Sequence, residues 1–289
     1  MGSIMIIGSG PAGVSASLYA RRGGADVTVI SRGSGALGRA EGIENYYGLE
    51  KPISGAELER RGIAGAKRLG VESVRDDVME LGFRDDGKGF RAKSGKHVYE
   101  ADSVILAAGA ARKGIPLPGL RELEGHGVSY CAICDAFFYR GKKVAVLGAG
   151  EYAIHEAQTL LPHVGELLLL TNGEPVPVDV PEGITVRGEA LRAVLGEGRV
   201  ASVRLANGEE IPLDGIFVAI GTAGSTELAR KMGILLESGA VKAGEDGSTN
   251  IPGVFAAGDC TGGLLQVAKA VYQGAVAGLS AVKYLRGSD

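Results

Sequence analysis

The 289-residue chain has few of the cysteines and histidines that build disulfide scaffolds and metal sites, and it lacks a long apolar run. Its three cysteines are too few for a structural disulfide framework, and its four histidines stand at no spacing typical of ligand pairs. No apolar run reaches the roughly 20 residues of a bilayer-spanning helix. The formal net charge of −3 gives no electrostatic case for nucleic-acid binding. Because the chain also enters a predicted strand at once, without a targeting segment, we expect a cytoplasmic protein that binds neither nucleic acid nor membrane.

Glycine, by contrast, is abundant. The 48 glycines follow no Gly-X-Y period, which excludes collagen, and they cluster after short apolar runs. Loops that bind phosphate groups belong at such places, where a buried strand turns into a helix. The length of the chain favours two domains.

The first such turn follows the apolar run Ile4–Ile7, which is typical of a strand buried on both faces of a parallel sheet. A small-residue helix from Val14 to Ala20 and a second strand from Val27 to Ile30 come next. This is the βαβ unit in which a G-x-G-x-x-G turn holds a pyrophosphate against a helix N-terminus. The residues predicted to form this loop are Gly8, Ser9, Gly10, Pro11, Ala12 and Gly13.

The same pattern occurs a second time. The run Val144–Leu147 leads into a loop with Gly148 and Gly150, an alanine-ended fingerprint that predicts a possible second dinucleotide loop. Two further strand-like runs also match each other, and each ends in glycine, at Gly109 and at Gly221. We therefore predict an α/β fold of two Rossmann-like, three-layer nucleotide-binding domains, the second inserted into the first.

The insertion sets the predicted domain limits. Residues 1–112 and 244–289 are assigned to the first domain and residues 113–243 to the inserted one. The crossings are expected near Arg112–Gly114 and Val241–Gly247, and Pro116 and Pro118 mark the linker beside the first of them.

Two cysteines of the inserted domain, Cys131 and Cys134, stand two residues apart, and Asp135 follows them. In a cytosolic chain this C-x-x-C spacing indicates either a redox-active disulfide or half of a zinc site. Zinc usually takes four ligands, and the sequence has no second C-x-x-C and no H-x-x-x-H. The redox interpretation is therefore favoured, and no metal is expected.

With these features assembled, the chain resembles the low-molecular-weight thioredoxin reductase family over essentially its whole length. Besides the first glycine loop, the similarity covers Glu44–Gly48, Cys131–Asp135, Phe137–Tyr139 and Gly253–Asp259. The resemblance implies FAD in the first domain, the redox disulfide in the inserted domain, and a homodimer. It also implies that the domains rotate, so that the dithiol faces the flavin and the protein substrate in turn.

Catalytic roles follow from this resemblance together with thiol chemistry. Cys131 would attack the disulfide of the substrate as a thiolate, and Cys134 would face the flavin and resolve the mixed disulfide. A helix that begins at the motif would lower the thiol pKa. Asp135 would give a proton to the leaving thiolate of the substrate.

The resemblance extends to the flavin contacts outside the glycine loop. Asp259 is similar to the family's aspartate that bonds the ribityl chain, and Cys260 beside it is interpreted as a small buried filler. Gln266 and Val267 fall where the last helix presents its N-terminus to the isoalloxazine, and Asn45 is either a flavin contact or a turn residue. The flavin contacts predicted in this way are Asn45, Gly109, Gly258, Asp259, Gln266 and Val267.

The chain departs from the family where NADPH would bind. The family's second domain carries a His-Arg-Arg-x-x-x-Arg segment whose arginines clamp the 2′-phosphate in bidentate fashion. Here the strand Leu167–Leu170 is followed by Thr171–Pro175, with no arginine in reach. Glu174 would repel a phosphate. The family's next helix is missing from the sequence at this point. Glu151 and Tyr152 also place a carboxylate and a ring where a pyrophosphate would approach. We therefore do not expect NADPH as the donor.

The sequence leaves two alternatives for the electron donor. Ferredoxin is favoured, because the missing clamp resembles the ferredoxin-dependent flavin thioredoxin reductases, a compact branch of the family. NADH is the alternative, with Gly148 and Gly150 still holding a pyrophosphate.

A second departure lies at the end of the second strand, where an acidic residue usually bonds the adenosine ribose. Ser31 and Arg32 stand there instead. We expect Ser31 to bond a ribose hydroxyl and Arg32 to face the adenine or a phosphate.

The sequence thus predicts a flavoprotein disulfide reductase that passes electrons from FAD through Cys131 and Cys134 to thioredoxin or a thioredoxin-like protein. A flavin reductase or ferredoxin–NADP reductase of the same fold would need no C-x-x-C motif. A redox sensor without turnover is the alternative outside the enzymes.

Overall fold

The computed structural model describes residues 2–109, 115–176, 179–221 and 224–287. The helices of these residues are α1 (Pro11–Arg22), α2 (Gly55–Arg68), α3 (Ala132–Asp135), α4 (Glu151–Leu160), α5 (Ser225–Lys231) and α6 (Val267–Gly287). Short 3-10 turns cover Leu37–Arg39, Ala136–Tyr139 and Gly258–Thr261. The strands are β1 (Ser3–Ile7), β2 (Asp26–Ser31), β3 (Glu72–Arg75), β4 (Glu80–Phe83), β5 (Phe90–Lys93), β6 (Val98–Ala101), β7 (Ser103–Leu106), β8 (Val128–Ser129), β9 (Lys143–Leu147), β10 (Glu166–Leu170), β11 (Ile184–Arg187), β12 (Leu191–Leu195), β13 (Ser202–Leu205), β14 (Glu210–Pro212), β15 (Gly215–Val218), β16 (Leu236–Glu237), β17 (Ala240–Val241) and β18 (Val254–Ala256).

The chain divides into two compact units. The first comprises Met1–Ala111 and Gly224–Asp289, and the second comprises Arg112–Ala223. Each unit contains its own parallel sheet, as detailed below, and the predicted α/β class with two Rossmann-like domains is confirmed.

The division of the chain differs from the predicted limits at the second crossing. The first predicted crossing, Arg112–Gly114, lies outside the described residues. The second was expected at Val241–Gly247, whereas residues from 224 onward already belong to the first unit. The physical reason is that α5 bonds to that unit: the Ser225 hydroxyl accepts the N–H of Ala108 at 3.0 Å. The ammonium of Lys231, also in α5, donates to a carbonyl of the first unit at 2.9 Å.

The first unit is organised around a five-stranded sheet in the order β18-β7-β1-β2-β3, with every neighbouring pair parallel. The apolar run Ile4–Ile7 is buried, as expected for a central strand of a parallel sheet. Ile4 and Ile6 share one buried cluster with residues of α1 and α6. An antiparallel sheet, β4-β5-β6, also contacts β1.

The second unit repeats this plan. Its parallel sheet has the order β11-β10-β9-β15-β8, and β12-β13-β14 form an antiparallel sheet. The succession β9-α4-β10 corresponds to β1-α1-β2. Where the first unit has α2 between its second and third strands, the described residues between β10 and β11 (171–176 and 179–183) contain no helix.

Helices α1 and α6 approach each other closely because glycines stand at the contact. A Cβ built on Gly274 would lie 2.1 Å from the carbonyl oxygen of Ala12, and one on Gly278 would lie 2.5 Å from another carbonyl oxygen of α1. Across the same contact, the Ser15 hydroxyl donates to the carbonyl of Val271 at 2.7 Å. This contact holds α6 against the helix that follows the first glycine loop.

We expect Gly274→Ala to lower the free energy of unfolding by about 2 kcal/mol, because the added methyl group forces the two backbones apart. Gly287→Ala, at the end of the same helix, is the control, since a Cβ there meets no atom within 4 Å. Urea unfolding followed by circular dichroism measures both variants. Equal stability of the two would contradict the close contact between α1 and α6.

Candidate active site

The loop between β1 and α1 combines tight packing with one open side. Gly8 has a φ of +115°, and a Cβ there would lie 2.3 Å from the carbonyl oxygen of Ala107, just beyond β7. A Cβ on Gly13 would lie 1.9 Å from the carbonyl oxygen of Gly8. A Cβ on Gly10, in contrast, meets no atom within 4 Å. Gly8 and Gly13 therefore serve packing, while Gly10 leaves space in front of α1.

The start of α1 suits an anion in that space. Gly10 is the N-cap and Pro11 the first helical residue, a position where its missing N–H removes no helical hydrogen bond. The N–H groups of the first turn, including that of Ala12, have no partner inside a helix. Such groups, together with the helix dipole, bind pyrophosphate. Ser9 is buried beside them.

The turn Gly258–Thr261, which follows β18, packs against this helix start. Gly258 has a φ of +84°, and a Cβ there would lie 2.7 Å from the Cβ of Ala12. The Oδ1 atom of Asp259 is buried and has no hydrogen-bond partner among the described residues. A buried carboxylate oxygen without a donor is costly. Asp259 is thus suited to accept a hydrogen bond from a molecule bound in front of the loop.

Two side chains of α6 hold this turn, and the sequence analysis identified neither. Lys269 donates from Nζ to the carbonyl oxygens of Gly258 at 2.8 Å and of Gly262 at 2.6 Å. Gln273 accepts the N–H of Gly258 with Oε1 at 3.0 Å. The signal that would have found them is their i, i+4 spacing, which puts both side chains on one face of the helix.

Asn45 and Gln266, predicted as separate flavin contacts, are joined in the structure. Nδ2 of Asn45 donates to Oε1 of Gln266 at 3.0 Å, although the residues are 221 positions apart. Both residues are exposed, and Val267 is the first residue of α6. The bond therefore ties the segment after β2 to the beginning of the last helix.

Ser31, Arg32 and Gly109 lie where two strands of the first sheet end. Ser31 is the last residue of β2 and is half-buried, and Arg32 is exposed beyond it. Gly109, with a φ of +79°, follows β7. Since β1, β2 and β7 are parallel neighbours, all three residues are at the carboxyl edge that also carries the glycine loop. Ligands of open α/β sheets bind at this edge.

In the second unit, Cys131 and Cys134 form a disulfide with their Cα atoms 5.3 Å apart, an ordinary separation for this bond. Cys131 is 4% exposed, whereas Cys134 is exposed. The thiol predicted to attack the partner is therefore the less accessible one in this conformation. No group of three or more His, Cys, Asp or Glu residues in the described part of the chain is placed to hold a metal ion.

Side chains on both sides of the motif bind its backbone. Ser129 accepts the N–H of Cys131 with Oγ at 3.1 Å and donates to Oδ2 of Asp135 at 2.7 Å. Glu156, which is 2% exposed, accepts the N–H of Ala132 with Oε2 at 2.9 Å. The sequence analysis named Asp135 and missed Ser129 and Glu156. Glu156 is 24 residues from Ala132 and belongs to another helix, so no local spacing indicates the contact.

This arrangement gives little support to the expectation that a helix N-terminus lowers the thiol pKa. α3 is only four residues long, with Cys131 as its N-cap. The N–H groups of Cys131 and Ala132 already have oxygen acceptors, and one acceptor is a carboxylate. Peptide N–H groups occupied in this way are not free to stabilise a thiolate.

The loop between β9 and α4 keeps the glycine packing of the first loop. A Cβ on Gly148 would lie 2.2 Å from the carbonyl oxygen of Ala219, so packing alone requires glycine there. Gly150 is the N-cap of α4, and the exposed Glu151 is its first residue, where a carboxylate repels phosphate. Tyr152 is 1% exposed. Its ring is therefore buried, and the expectation that it stands in the path of a pyrophosphate is wrong.

An arginine does lie beside the end of β10, contrary to the sequence expectation. Arg187 is the register partner of Leu170. Its Nη2 donates to the carboxylates of Glu189 and Glu209, each at 2.8 Å. These hydrogen bonds raise the pKa of Arg187 above its ordinary value. A phosphate would have to displace both carboxylates to reach the guanidinium.

Cys260, the third cysteine, is buried, and its Sγ lies 3.2 Å from the carbonyl oxygen of Ala257. Burial raises the pKa of this thiol to about 11. Because the thiolate is the reactive form, this observation supports its interpretation as a filler.

The first unit carries a dinucleotide loop and a buried carboxylate oxygen, and the second unit carries a disulfide. The sequence matches the family described as pyridine nucleotide-disulphide oxidoreductase over residues 2–174 and 180–274. The protein is therefore an oxidoreductase of this class. Among the described residues, no helix has both the length and the apolar character needed to cross a bilayer.

Comparison with individual relatives identifies a narrower family within this class. The thioredoxin reductases of Listeria innocua and Bacillus subtilis are each 33% identical over 301 residues, covering 98% of this chain and 93% and 94% of theirs, respectively. The solved structure of the atypical thioredoxin reductase TRi from Desulfovibrio vulgaris Hildenborough has 36% identity, a TM-score of 0.92 and 99% coverage of both chains. A ferredoxin-flavin thioredoxin reductase from Clostridium acetobutylicum has 32% identity, a TM-score of 0.74 and coverage of 99% and 98%. The chain belongs to the thioredoxin reductase family, which confirms the resemblance seen in its sequence.

FAD is the cofactor of this enzyme, and the residues of the first unit fit it. The space at Gly10 admits a pyrophosphate, and the unpaired Oδ1 of Asp259 suits a ribityl hydroxyl. FAD, when bound, supplies the carrier of the electron pair that reduces a disulfide.

We expect Asp259→Ala to weaken FAD binding by about 10- to 100-fold, because a hydrogen bond to a charged group contributes roughly 1.5–3 kcal/mol. Quenching of flavin fluorescence during titration of the apoprotein gives the dissociation constant. Asp85→Asn, an exposed change in the same unit, is the control. Unchanged affinity in Asp259→Ala would rule out the ribityl contact.

Proposed function

We propose that this protein reduces the disulfide of thioredoxin or a thioredoxin-like protein, with electrons that reach FAD from a donor other than NADPH, ferredoxin being favoured. The observation that carries the proposal is the Cys131–Cys134 disulfide with Asp135 held beside it by Ser129. A dithiol–disulfide pair next to a carboxyl group can exchange with the disulfide of another protein.

The chain's own residues account for the exchange. The Cys131 thiolate attacks one sulfur of the partner's disulfide, that S–S bond breaks, and the departing sulfur takes a proton from Asp135. Cys134 then attacks the sulfur of Cys131, which releases the second partner sulfur and restores the Cys131–Cys134 disulfide. The second sulfur takes the proton that Cys134 loses, so the partner gains two electrons and two protons. Because Cys131 is 4% exposed in this conformation, the exchange requires a second conformation in which its sulfur is accessible.

Three features around the second loop argue against NADPH as the donor. Gly148 is explained by packing, and Glu151 places an exposed carboxylate at the start of α4. Arg187, beside the end of β10, is held by two carboxylates. The similarity to a ferredoxin-flavin thioredoxin reductase favours ferredoxin over NADH.

The partner, the assembly and the location belong to the same proposal. The enzymes named thioredoxin reductase among the relatives support thioredoxin as the substrate. The family resemblance supports a homodimer. The C-x-x-C motif in a chain with three cysteines supports a cytoplasmic location.

Mutation of the disulfide tests the assignment of the redox centre. We expect Cys131→Ser and Cys134→Ser each to abolish multiple turnover with thioredoxin, because one thiol cannot complete the exchange. Cys260→Ser is the matched control and should retain turnover. All three variants should keep their flavin spectrum. Thioredoxin reduction by both motif variants would refute the proposed route.

Anaerobic reduction of the oxidised holoenzyme tests the donor. We expect reduced ferredoxin to bleach the flavin absorbance, with thioredoxin then reduced, and NADPH to leave it unchanged, since the guanidinium of Arg187 is held by two carboxylates. Rapid bleaching by NADH would instead show that the second loop still binds a dinucleotide. Bleaching by NADPH would contradict the argument from Glu151 and Arg187.

The same assay separates the enzyme from a redox sensor. A sensor would pass at most one electron pair to a partner and then stop. Many thioredoxin molecules reduced per holoenzyme, with the donor in excess, would exclude it.

A further inference from the structure

Glu156 is the titratable group that the exchange described above does not use, although it bonds the backbone inside the motif. Its Oε2 accepts the N–H of Ala132, and this N–H belongs to the peptide bond that follows Cys131. Both Glu156 and Ala132 are buried. The buried carboxylate therefore contacts the backbone next to Cys131 and comes from α4 rather than from the motif.

The hydrogen bond and the charge act differently on the two redox states. The hydrogen bond to Ala132 orders the turn in which the disulfide forms. The negative charge disfavours a second negative charge nearby, because burial weakens solvent screening. Reduction of the disulfide breaks the S–S bond with two electrons and creates thiolate, which takes up protons according to its pKa. A fixed carboxylate beside the motif thus destabilises the reduced state relative to the disulfide.

We propose that Glu156 is a positioning residue that sets the redox poise of the Cys131–Cys134 pair, making its dithiol a stronger reductant. The inference rests on the proposed function, because a dithiol that gives its electrons to a partner disulfide has to be the stronger reductant of the two. The N–H groups that would stabilise a thiolate in a longer helix are occupied here by Ser129 and Glu156. Their engagement acts in the same direction as the charge.

The other charged groups described near the motif are less buried than Glu156. Asp135 adds a second carboxyl group, bonded to Ser129. A cavity of about 420 Å³ beside Asp135 is lined by His126, Arg199 and Tyr139, among others. Arg199 is exposed, so water screens its charge, and His126 is exposed as well, whereas Glu156 is buried.

Substitution of Glu156 separates the charge from the hydrogen bond. Glu156→Gln keeps an oxygen acceptor for Ala132 and removes the charge, and we expect it to raise the equilibrium constant for reduction about tenfold, or ~30 mV for a two-electron couple. The flavin-loaded protein is equilibrated anaerobically with dithiothreitol buffers of known ratio at pH 7. Rapid alkylation and mass spectrometry then give the fraction of Cys131–Cys134 dithiol. An equilibrium constant within twofold of the unmodified protein overturns the proposal.

Two further variants complete the test. Glu59→Gln removes a carboxylate that is similarly buried, but in the first unit, and should leave the equilibrium constant unchanged. An equal shift in Glu59→Gln would show that the effect is not local, and would also overturn the proposal. Glu156→Ala loses the hydrogen bond as well, so we expect a lower Tm in addition to the shift. A shift in Glu156→Ala alone, without one in Glu156→Gln, would mean a merely structural role.

The measurement needs neither thioredoxin nor the electron donor. A tenfold shift in a protein that fails to reduce thioredoxin would refute the proposed function and leave the role of Glu156 standing.

Discussion

Both units depend on one close contact between backbones at the carboxyl edge of a parallel sheet. In each βαβ segment, a glycine directly follows the first strand and lies against the end of a neighbouring strand. Gly8 lies against Ala107, and Gly148 lies against Ala219. No side chain fits at either glycine, so the chain turns sharply and the next helix begins directly at the sheet edge. The two units use this frame differently. In the first, Gly10 leaves room before the helix; in the second, Glu151 stands there.

The sequence predicted what local patterns encode. Apolar runs followed by glycine indicated both sheets, and the Cys131–Cys134 spacing indicated the disulfide, because each signal spans only a few residues. Contacts between distant segments leave no such signal, which is why Glu156 was missed. The second domain crossing was misplaced for the same reason. It is set by the contacts of α5 with the first unit, among them the bond from Ala108 to Ser225.

Carboxylates occur in three different surroundings in the two units. Asp259 has a buried oxygen that accepts no hydrogen bond from the described residues. Glu156 is buried against a peptide N–H within the redox motif. Glu189 and Glu209 both accept hydrogen bonds from Arg187, and these bonds keep the pKa of each carboxyl group below its usual range. The same functional group thus has different neighbours in the three places, and its chemistry depends on what surrounds it.

The double pairing of Arg187 also determines how many substitutions would free its guanidinium. Loss of Glu189 alone leaves the guanidinium held by Glu209, and loss of Glu209 alone leaves it held by Glu189. A variant designed to offer this guanidinium to a phosphorylated dinucleotide therefore needs both changes, and Glu151 replaced as well. Each single change breaks one ion pair and gains no phosphate contact. The two carboxylates thus make the pairing of Arg187 redundant.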